Sequence, residues 1–150
     1  MAHLELTHPR PEIAVITLNR PEKLNALSST LVEELHSTLD TIKNDNDCRV
    51  VVLTGAGRGF CAGLDLTDTD SPAASAGLEA PRAGMRWQER IAELTVKLHR
   101  LRQPVLAAVN GPAYGGGFAL AMASDIRIAA SSARFCTQFI KLGLGGCDIG

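Results

Sequence analysis

The stretch that decides the fold is residues 105–117, which read Val-Leu-Ala-Ala-Val-Asn-Gly-Pro-Ala-Tyr-Gly-Gly-Gly. Its first five residues are an apolar run without alternation, as expected of a parallel strand covered on both faces. The glycines predict a tight turn, and the small-residue run Phe118–Ala123 predicts a helix directly after them. A strand that leads into a helix through glycines is the unit of an α/β domain.

The segments around this stretch repeat the alternation of strands and helices. Apolar residues at helical spacing predict one helix over residues 31–42, capped by a hydroxyl of residues 28–30, and another over residues 91–101. The second helix should stop near Gln103, because a proline at 104 disfavours helical geometry before it. Repeated strand–helix units predict parallel pairing. Further strands are predicted at residues 13–18, 49–54 and 125–129, and a mobile, polar loop at residues 67–81.

Length and composition indicate one globular domain over residues 1–150. The chain is 45% apolar and 21% charged, with a net charge of −1, and it has no block of like charge that could track a phosphate backbone. Since aromatic residues are only 4%, a base-stacking surface is also hard to build, and nucleic acid is not expected as a partner. The uncharged run at 104–124 approaches the length of a membrane span, but its proline and glycines favour a strand, a turn and a helix instead.

The cysteines and histidines indicate neither a metal site nor a disulfide framework. The four cysteines have no C-x-x-C pairing, and the four histidines lack metal-ligand spacing. Unpatterned thiols suit a reducing compartment, and the N-terminus has no basic segment followed by an apolar run. We therefore expect a cytoplasmic protein without a metal, a signal peptide or a membrane span.

A second glycine-rich turn occupies residues 55–63, directly after a predicted strand. It does not match the dinucleotide or mononucleotide fingerprints. Within it, Gly59–Gly63 fits the pattern G-x-C-x-G, a cysteine version of the hydrolase nucleophile elbow. Cys61 lies too far beyond the strand end for an elbow and is interpreted as a buried structural cysteine, which leaves a cysteine hydrolase as a remote alternative.

The two glycine turns together could provide two backbone N–H groups. Each follows a strand of an α/β scaffold, and the turn at 115–117 also opens a helix, whose free amides and dipole can stabilise negative charge. Two such amides can form an oxyanion hole. Taken alone, the turn at 115–117 is better interpreted as tight chain reversal with close helix packing.

Three segments, together with the strand region at 124–129, resemble the enoyl-CoA hydratase/isomerase, or crotonase, superfamily. They occur in the family's order and with its spacing, so the resemblance covers nearly all of the chain. The three segments are Asn-Arg-Pro-Glu-Lys-Leu-Asn-Ala-Leu at 19–27, Gly-Phe-Cys-Ala-Gly-Leu-Asp-Leu at 59–66 and Ala-Val-Asn-Gly-Pro-Ala-Tyr-Gly-Gly-Gly at 108–117.

The resemblance implies a crotonase-type spiral of strand–strand–helix repeats that binds an acyl-CoA thioester. In the family pattern, the backbone N–H groups of Leu64 and Gly116 hold the thioester oxygen, so the side chain at Leu64 would matter little. Lys23 and Ala26 would border the CoA channel, although Lys23 could equally be a solvated surface charge. The residues implied to line the adenine and pantetheine are Ala62, Gly63, Leu64, Asp65 and Leu66.

Two acids of the family's hydratases are missing here. The matching positions hold Ala119 and Phe139, and the neighbouring Gln138 can orient water but cannot take a proton at neutral pH. General acid–base catalysis is worth about 10²–10⁴-fold, so ordinary hydration is in doubt. The segment 144–150, which contains Asp148, is similar to the glycine–aspartate segment of members such as naphthoate synthases and loosely to one in dienoyl-CoA isomerases. Asp148 is therefore a candidate base, or equally a helix cap.

The resemblance also implies a longer whole protein. Family members carry C-terminal helices that complete the CoA pocket and pack trimers, whereas this sequence stops at Gly150. We expect a fragment truncated before those helices, although processing or a naturally short chain remain alternatives. The expected protein is an enoyl-CoA hydratase/isomerase that needs no cofactor beyond the CoA of its substrate and forms a homotrimer or hexamer when complete. A non-catalytic acyl-CoA-binding protein of the same fold is the alternative.

Overall fold

A five-stranded sheet forms the centre of the molecule in the computed structural model, which describes residues 2–68 and 80–142. The sheet has the order β1-β2-β3-β4-β6, and β5 pairs with β7 in a separate two-stranded sheet. The strands are β1 Leu4–Arg10, β2 Ile13–Leu18, β3 Val50–Gly55, β4 Val105–Val109, β5 Ala113–Tyr114, β6 Ile126–Ala129 and β7 Phe135–Cys136.

The predicted parallel pairing is confirmed for four strands. The pairs β2–β3, β3–β4 and β4–β6 are parallel, and β5 is parallel to β7. β1 was not predicted, and it forms an antiparallel hairpin with β2. Pro9 lies within β1, which is possible because β1 is an edge strand and one side of its backbone needs no ladder bond.

In the described part of the chain, three helices connect the strands. They are α1 Ser29–Asn44, α2 Ala80–His99 and α3 Gly116–Ala123, with short 3-10 turns at Pro21–Lys23 and Phe139–Leu142. The predicted hydroxyl cap of α1 is confirmed: Ser28 Oγ accepts a hydrogen bond from Leu31 N at 3.3 Å. This bond satisfies one of the free amides at the start of α1.

Three sequence-based boundaries are corrected. The predicted end of the loop at 67–81 is wrong, because α2 already begins at Ala80. Residues 69–79 of that loop lie outside the described residues. α2 ends at His99, short of the predicted Gln103, and Leu101 N then bonds Leu98 O at 3.2 Å in a tighter turn. α3 begins at Gly116 rather than at Phe118, because two of the three glycines adopt helical geometry.

The core lies on one face of the large sheet. Alternate residues of β2, β3 and β4 are fully buried and belong to the same apolar cluster as the inner stripes of α1 and α2. The opposite face is half-buried in this chain, so the expectation of full cover on both faces is wrong for β3 and β4. Side chains of a strand alternate between faces, which explains the pattern. The buried strand residues are Ala14, Ile16, Leu18, Val51, Leu53, Val105, Ala107 and Val109.

The uncharged run at 104–124 contains β4 and α3, as its composition predicted, and also the short strand β5 where a turn was expected. Within residues 2–68 and 80–142, no helix combines the length and the apolar character that a membrane crossing requires.

Candidate active site

The two glycine turns meet at Gly63. This residue has φ +93°, and a Cβ placed there would lie 2.8 Å from Tyr114 O and 3.5 Å from Gly116 N. Only glycine can adopt this backbone and allow this approach without strain. The turn that precedes Leu64 is therefore in direct contact with the start of α3.

The backbone of Leu27 determines which way the N–H group of Leu64 points. Leu27 N donates to Gly63 O at 2.7 Å, and Asp65 N donates to Leu27 O at 3.0 Å, which makes an isolated parallel bridge. In such a bridge the residue between the two bonded neighbours directs its own N–H away from the partner. The N–H of Leu64 has no acceptor among the residues that the structure describes.

Among the described residues, the N–H group of Gly116 is a further donor without an acceptor. The neighbouring N–H of Gly115 donates to Cys136 O at 2.9 Å, and Ala119 N donates to Gly115 O at 3.0 Å as the first helical bond. As the first residue of α3, Gly116 has no intrahelical acceptor for its own N–H. Within the described parts of the chain this N–H is also unbonded. The site thus offers the free amides of Leu64 and Gly116, the second of them at a helix N-terminus, where the dipole favours negative charge.

Two asparagine side chains, the buried Asn25 and the half-buried Asn110, shape the glycine loop at 55–59. Asn25 Nδ2 donates to Ala56 O at 2.9 Å and to Gly59 O at 2.8 Å. Asn110 accepts from Gly55 N at 3.3 Å and donates to the same Gly59 O at 3.2 Å. Sequence analysis did not assign a role to either asparagine, and the signal was their position beside the proline and glycine turns.

Close backbone contacts explain two further glycines. A Cβ at Gly117 would overlap the backbone carbonyl of Cys61, and a Cβ at Gly111 would overlap the carbonyl of Arg58. These contacts dock the second glycine turn onto the first and leave room for no side chain.

Cys61 is a structural residue, as predicted. Its side chain is completely buried, and burial raises the pKa of the thiol to about 12. A thiol of this kind is protonated at neutral pH and is a poor nucleophile. The structure thus gives no support to a cysteine hydrolase.

The two positions that the resemblance matches to hydratase acids carry apolar side chains, and both lie close to Gly115. Ala119 is buried one helical turn after Gly115. Phe139 Cε1 lies 3.7 Å from the place where Gly115 would carry a Cβ. Gln138, with φ +56°, accepts a hydrogen bond from Cys136 Sγ at 3.0 Å, so its amide oxygen is already engaged.

The segment that the resemblance assigns to CoA surrounds the first donor. Lys23 is exposed and donates from Nζ to Thr67 Oγ1 at 3.2 Å, whereas Ala26 is buried. Ala62 N donates to Leu24 O at 2.9 Å, and Leu66 is 67% exposed. The structure therefore brings Lys23, Ala26 and residues 62–66 together, although they come from two separate motifs.

Asp65 has both carboxylate oxygens occupied. Oδ2 lies 2.8 Å from Arg20 Nη2, while Oδ1 accepts from Thr67 N at 2.9 Å and from Thr67 Oγ1 at 2.7 Å. Burial alone would raise the pKa of Asp65, but the hydrogen bonds from Thr67 and Arg20 outweigh it and lower the pKa to about 2. The side chain of Asp65 is therefore an anion held by protein groups, and Arg20 is a site residue that sequence analysis did not assign.

The proposed base Asp148 lies outside the described residues. Within residues 2–68 and 80–142, no group of three or more His, Cys, Asp or Glu side chains is arranged to hold a metal ion. Within these residues the site supplies the hydrogen-bond donors of Leu64 N and Gly116 N, close to the ion pair of Arg20 and Asp65.

Comparison with known proteins defines the class to which this fold and site belong. Residues 10–147 match the model of the enoyl-CoA hydratase/isomerase family, and the chain belongs to that family.

Individual relatives agree with this assignment. The chain is 46% identical over 145 residues to a probable enoyl-CoA hydratase of Mycobacterium leprae, covering 97% of this chain and 49% of that protein. It is 42% identical over 144 residues to the 1,2-epoxyphenylacetyl-CoA isomerase of Escherichia coli, covering 96% and 54%. The crystal structure of a probable enoyl-CoA hydratase/isomerase from Mycobacterium abscessus superimposes with a TM-score of 0.85 at 41% identity, covering 99% of this chain and 54% of that chain. The sequence thus spans about half the length of these relatives, and the crotonase fold that it predicted is confirmed.

Proposed function

We propose that the whole protein acts on an acyl-CoA thioester, whose carbonyl oxygen accepts hydrogen bonds from the N–H groups of Leu64 and Gly116. The observation that carries this proposal is the meeting of two unbonded amides at Gly63, one of them at a helix N-terminus. When a proton leaves the carbon next to the thioester, the electron pair moves onto this oxygen, and preorganised donors stabilise the resulting enolate.

The CoA part of the substrate would lie along the segment that contains Lys23, Ala26 and residues 62–66. Lys23 contributes an exposed positive charge, suited to a phosphate group. Leu66 contributes an exposed apolar side chain, suited to the pantetheine arm. No other cofactor is proposed, because enolate chemistry of a thioester needs only donors and a base.

Simple hydration is a poor fit to this site. Ala119 and Phe139 cannot transfer a proton to or from water, and each missing acid would cost about 10²–10⁴-fold. Isomerisation through an enolate needs a single base, and Asp148 is our candidate for it. The relative from Escherichia coli is named as an isomerase of a CoA thioester, which favours this class of reaction.

The test of the base is Asp148→Asn in the whole protein, with Asp148→Ala as its partner. A catalytic base predicts that Asn lowers turnover by about 10²–10⁴-fold and leaves the melting temperature nearly unchanged. A helix cap predicts that Asn is harmless and that Ala costs about 0.5–2 kcal/mol of stability. Undiminished turnover in the Asn variant would remove Asp148 from the mechanism.

The second candidate function is a non-catalytic acyl-CoA-binding protein, favoured by the loss of both hydratase acids. Acyl-CoA binding without product from any thioester of a panel would establish it. Both candidates predict thermal stabilisation by acyl-CoA, which at about 100 times its Kd amounts to roughly 2.7 kcal/mol. A whole protein whose melting temperature does not respond to saturating acyl-CoA would contradict both.

We further propose that the whole protein is a homotrimer or hexamer in the cytoplasm. Size-exclusion chromatography with light scattering tests the oligomeric state, and cell fractionation tests the location.

A further inference from the structure

The ion pair between Arg20 and Asp65 is almost completely buried. The side chains are only 11% and 6% exposed, and Arg20 Nη2 lies 2.8 Å from Asp65 Oδ2. Burying two charges is costly unless their remaining hydrogen-bonding groups are also satisfied. Here Thr67 supplies two further donors to Asp65, and Ala26 O accepts from Arg20 Nη1 at 2.6 Å. Such a pair is built into the fold and is not a chance surface contact.

Arg20 organises the first of the two segments that meet at the site. Its backbone N–H donates to Asn25 Oδ1 at 2.8 Å, and its carbonyl accepts from Asn25 N at 2.9 Å. Leu24 and Asn25 both have left-handed φ values, of 49° and 57°, which L-residues rarely adopt without such support. Arg20 therefore fixes the turn that leads into Leu27.

Asp65 organises the second segment. It follows Leu64, and its backbone N–H donates to Leu27 O at 3.0 Å. Its carboxylate holds Thr67 on one side and Arg20 on the other. The peptide that joins Gly63 to Leu64 is thus held on one side, where Gly63 O accepts from Leu27 N. On the other side, the side-chain bonds of Asp65 fix the residue that follows Leu64.

We propose that Arg20, acting through Asp65, is a positioning residue that aims the N–H group of Leu64 at the thioester oxygen. This inference rests on the proposed function and assigns to Asp65 a role toward Arg20 instead of direct contact with CoA. A misplacement of a catalytic group by about 1 Å can cost about 10²-fold, so loss of the pair should weaken enolate stabilisation more than CoA binding.

Acetoacetyl-CoA separates these two effects, because its enolate absorbs in the near ultraviolet. On ionisation, the bond from the central carbon to hydrogen breaks, the proton goes to solvent, and the electron pair is delocalised onto the thioester and ketone oxygens. A working oxyanion hole lowers the pH at which the bound ligand ionises. CoA itself lacks the acyl carbonyl and reports only on the remainder of the binding site.

The variants are Asp65→Asn and Arg20→Lys in the whole protein. Asn keeps an acceptor for Thr67 but loses the charge, whereas Lys keeps the charge but cannot donate to Asp65 and to Ala26 O as a planar fork. Asp40→Asn is the matched control, since it breaks an ion pair of 2.6 Å between α1 and α2, away from both glycine turns. Thermal unfolding of each variant identifies any that fail to fold, and if Asp65→Asn fails, Arg20→Lys decides.

The expected result is that both site variants raise the ionisation midpoint of bound acetoacetyl-CoA by about one pH unit or more, a tenfold effect, while CoA affinity changes less than about threefold. Asp40→Asn should change neither. An unchanged midpoint, or a CoA affinity that falls as much as enolate stabilisation does, would overturn the inference while leaving the proposed function intact. A wild-type protein that binds acetoacetyl-CoA without favouring its enolate would overturn the proposed function itself.

Discussion

Leu27 connects the two halves of the candidate site. Its backbone bonds Gly63 and Asp65, and its Cδ1 lies 2.9 Å from where Gly116 would carry a Cβ. The residue is 1% exposed, and its buried side chain packs against the start of α3 while its backbone holds the segment around Leu64. Its role was invisible in the sequence, because a leucine next to a polar motif carries no sign of which backbone groups it will bond.

Gly116→Pro removes one of the two proposed donors while leaving α3 able to form. Proline removes the N–H but is well tolerated at the first position of a helix, so α3 should still form. We expect turnover of the true substrate to fall by about 10²–10³-fold, as for loss of a single oxyanion donor.

Gly116→Ala is the matched control for this substitution. It introduces the same Cβ toward Leu27 Cδ1, the end of a flexible side chain, but keeps the N–H. Alanine should therefore lower turnover much less than proline. Equal losses in the two folded variants, measured by steady-state kinetics and thermal unfolding, would show that crowding, and not the hydrogen bond, is responsible.

At the scale of the element, regular periodicity could be predicted and backbone contacts could not. The strands at 13–18 and 105–109 and the capped helix α1 follow from apolar spacing and a hydroxyl. The two-residue strands β5 and β7 are too short to leave a pattern, and they exist only because their residues pair with each other. Likewise, the glycine turns could be located from the sequence alone. Which of their N–H groups would act as donors came only from the resemblance to the family, because the spacing of the glycines does not show it.

Gly63→Ala tests the close approach of the two turns. The residue combines φ +93° with a Cβ position 2.8 Å from Tyr114 O, so alanine should cost about 1–3 kcal/mol of stability. Gly84→Ala is the matched control, because the same methyl group in α2 would meet nothing within 4 Å. There alanine should stabilise by about 0.5–1 kcal/mol through helix propensity. Chemical denaturation measures both, and a stable Gly63→Ala variant would show that the turns need not touch.

At the scale of the whole molecule, the packing of α1 against α2 makes stability depend on pH. His36 is 2% exposed, its Nε2 lies 2.8 Å from Arg90 O, and its Nδ1 has no hydrogen-bond partner among the described residues. Burial lowers the pKa of His36, and the nearby Arg90 and Lys97 lower it further, against the bond to Arg90 O and the charge of Glu33, which raise it.

The sign of the effect follows from proton binding. The unfolded chain takes up a proton on this histidine below about pH 6.5, whereas the folded chain does so only at lower pH. Stability should therefore fall as the pH falls from 6.5, by at most about 1.4 kcal/mol per pH unit from this group. Urea denaturation at pH 7.5 and 5.5 checks this, with His36→Gln as the variant expected to flatten the difference. An equal difference in wild type and variant would assign the pH dependence to other groups.

The central claim is that two backbone amides polarise the thioester carbonyl, and infrared spectroscopy of a bound acyl-CoA carrying a ¹³C label at that carbonyl tests it most directly. Hydrogen bonds from the N–H groups of Leu64 and Gly116 would draw electron density onto the oxygen and weaken the C=O bond. We predict that the labelled band of the saturated whole protein lies at lower frequency than in water, and that Gly116→Pro reverses part of this shift. A band at its solution frequency in a protein shown to be saturated with ligand would contradict the account.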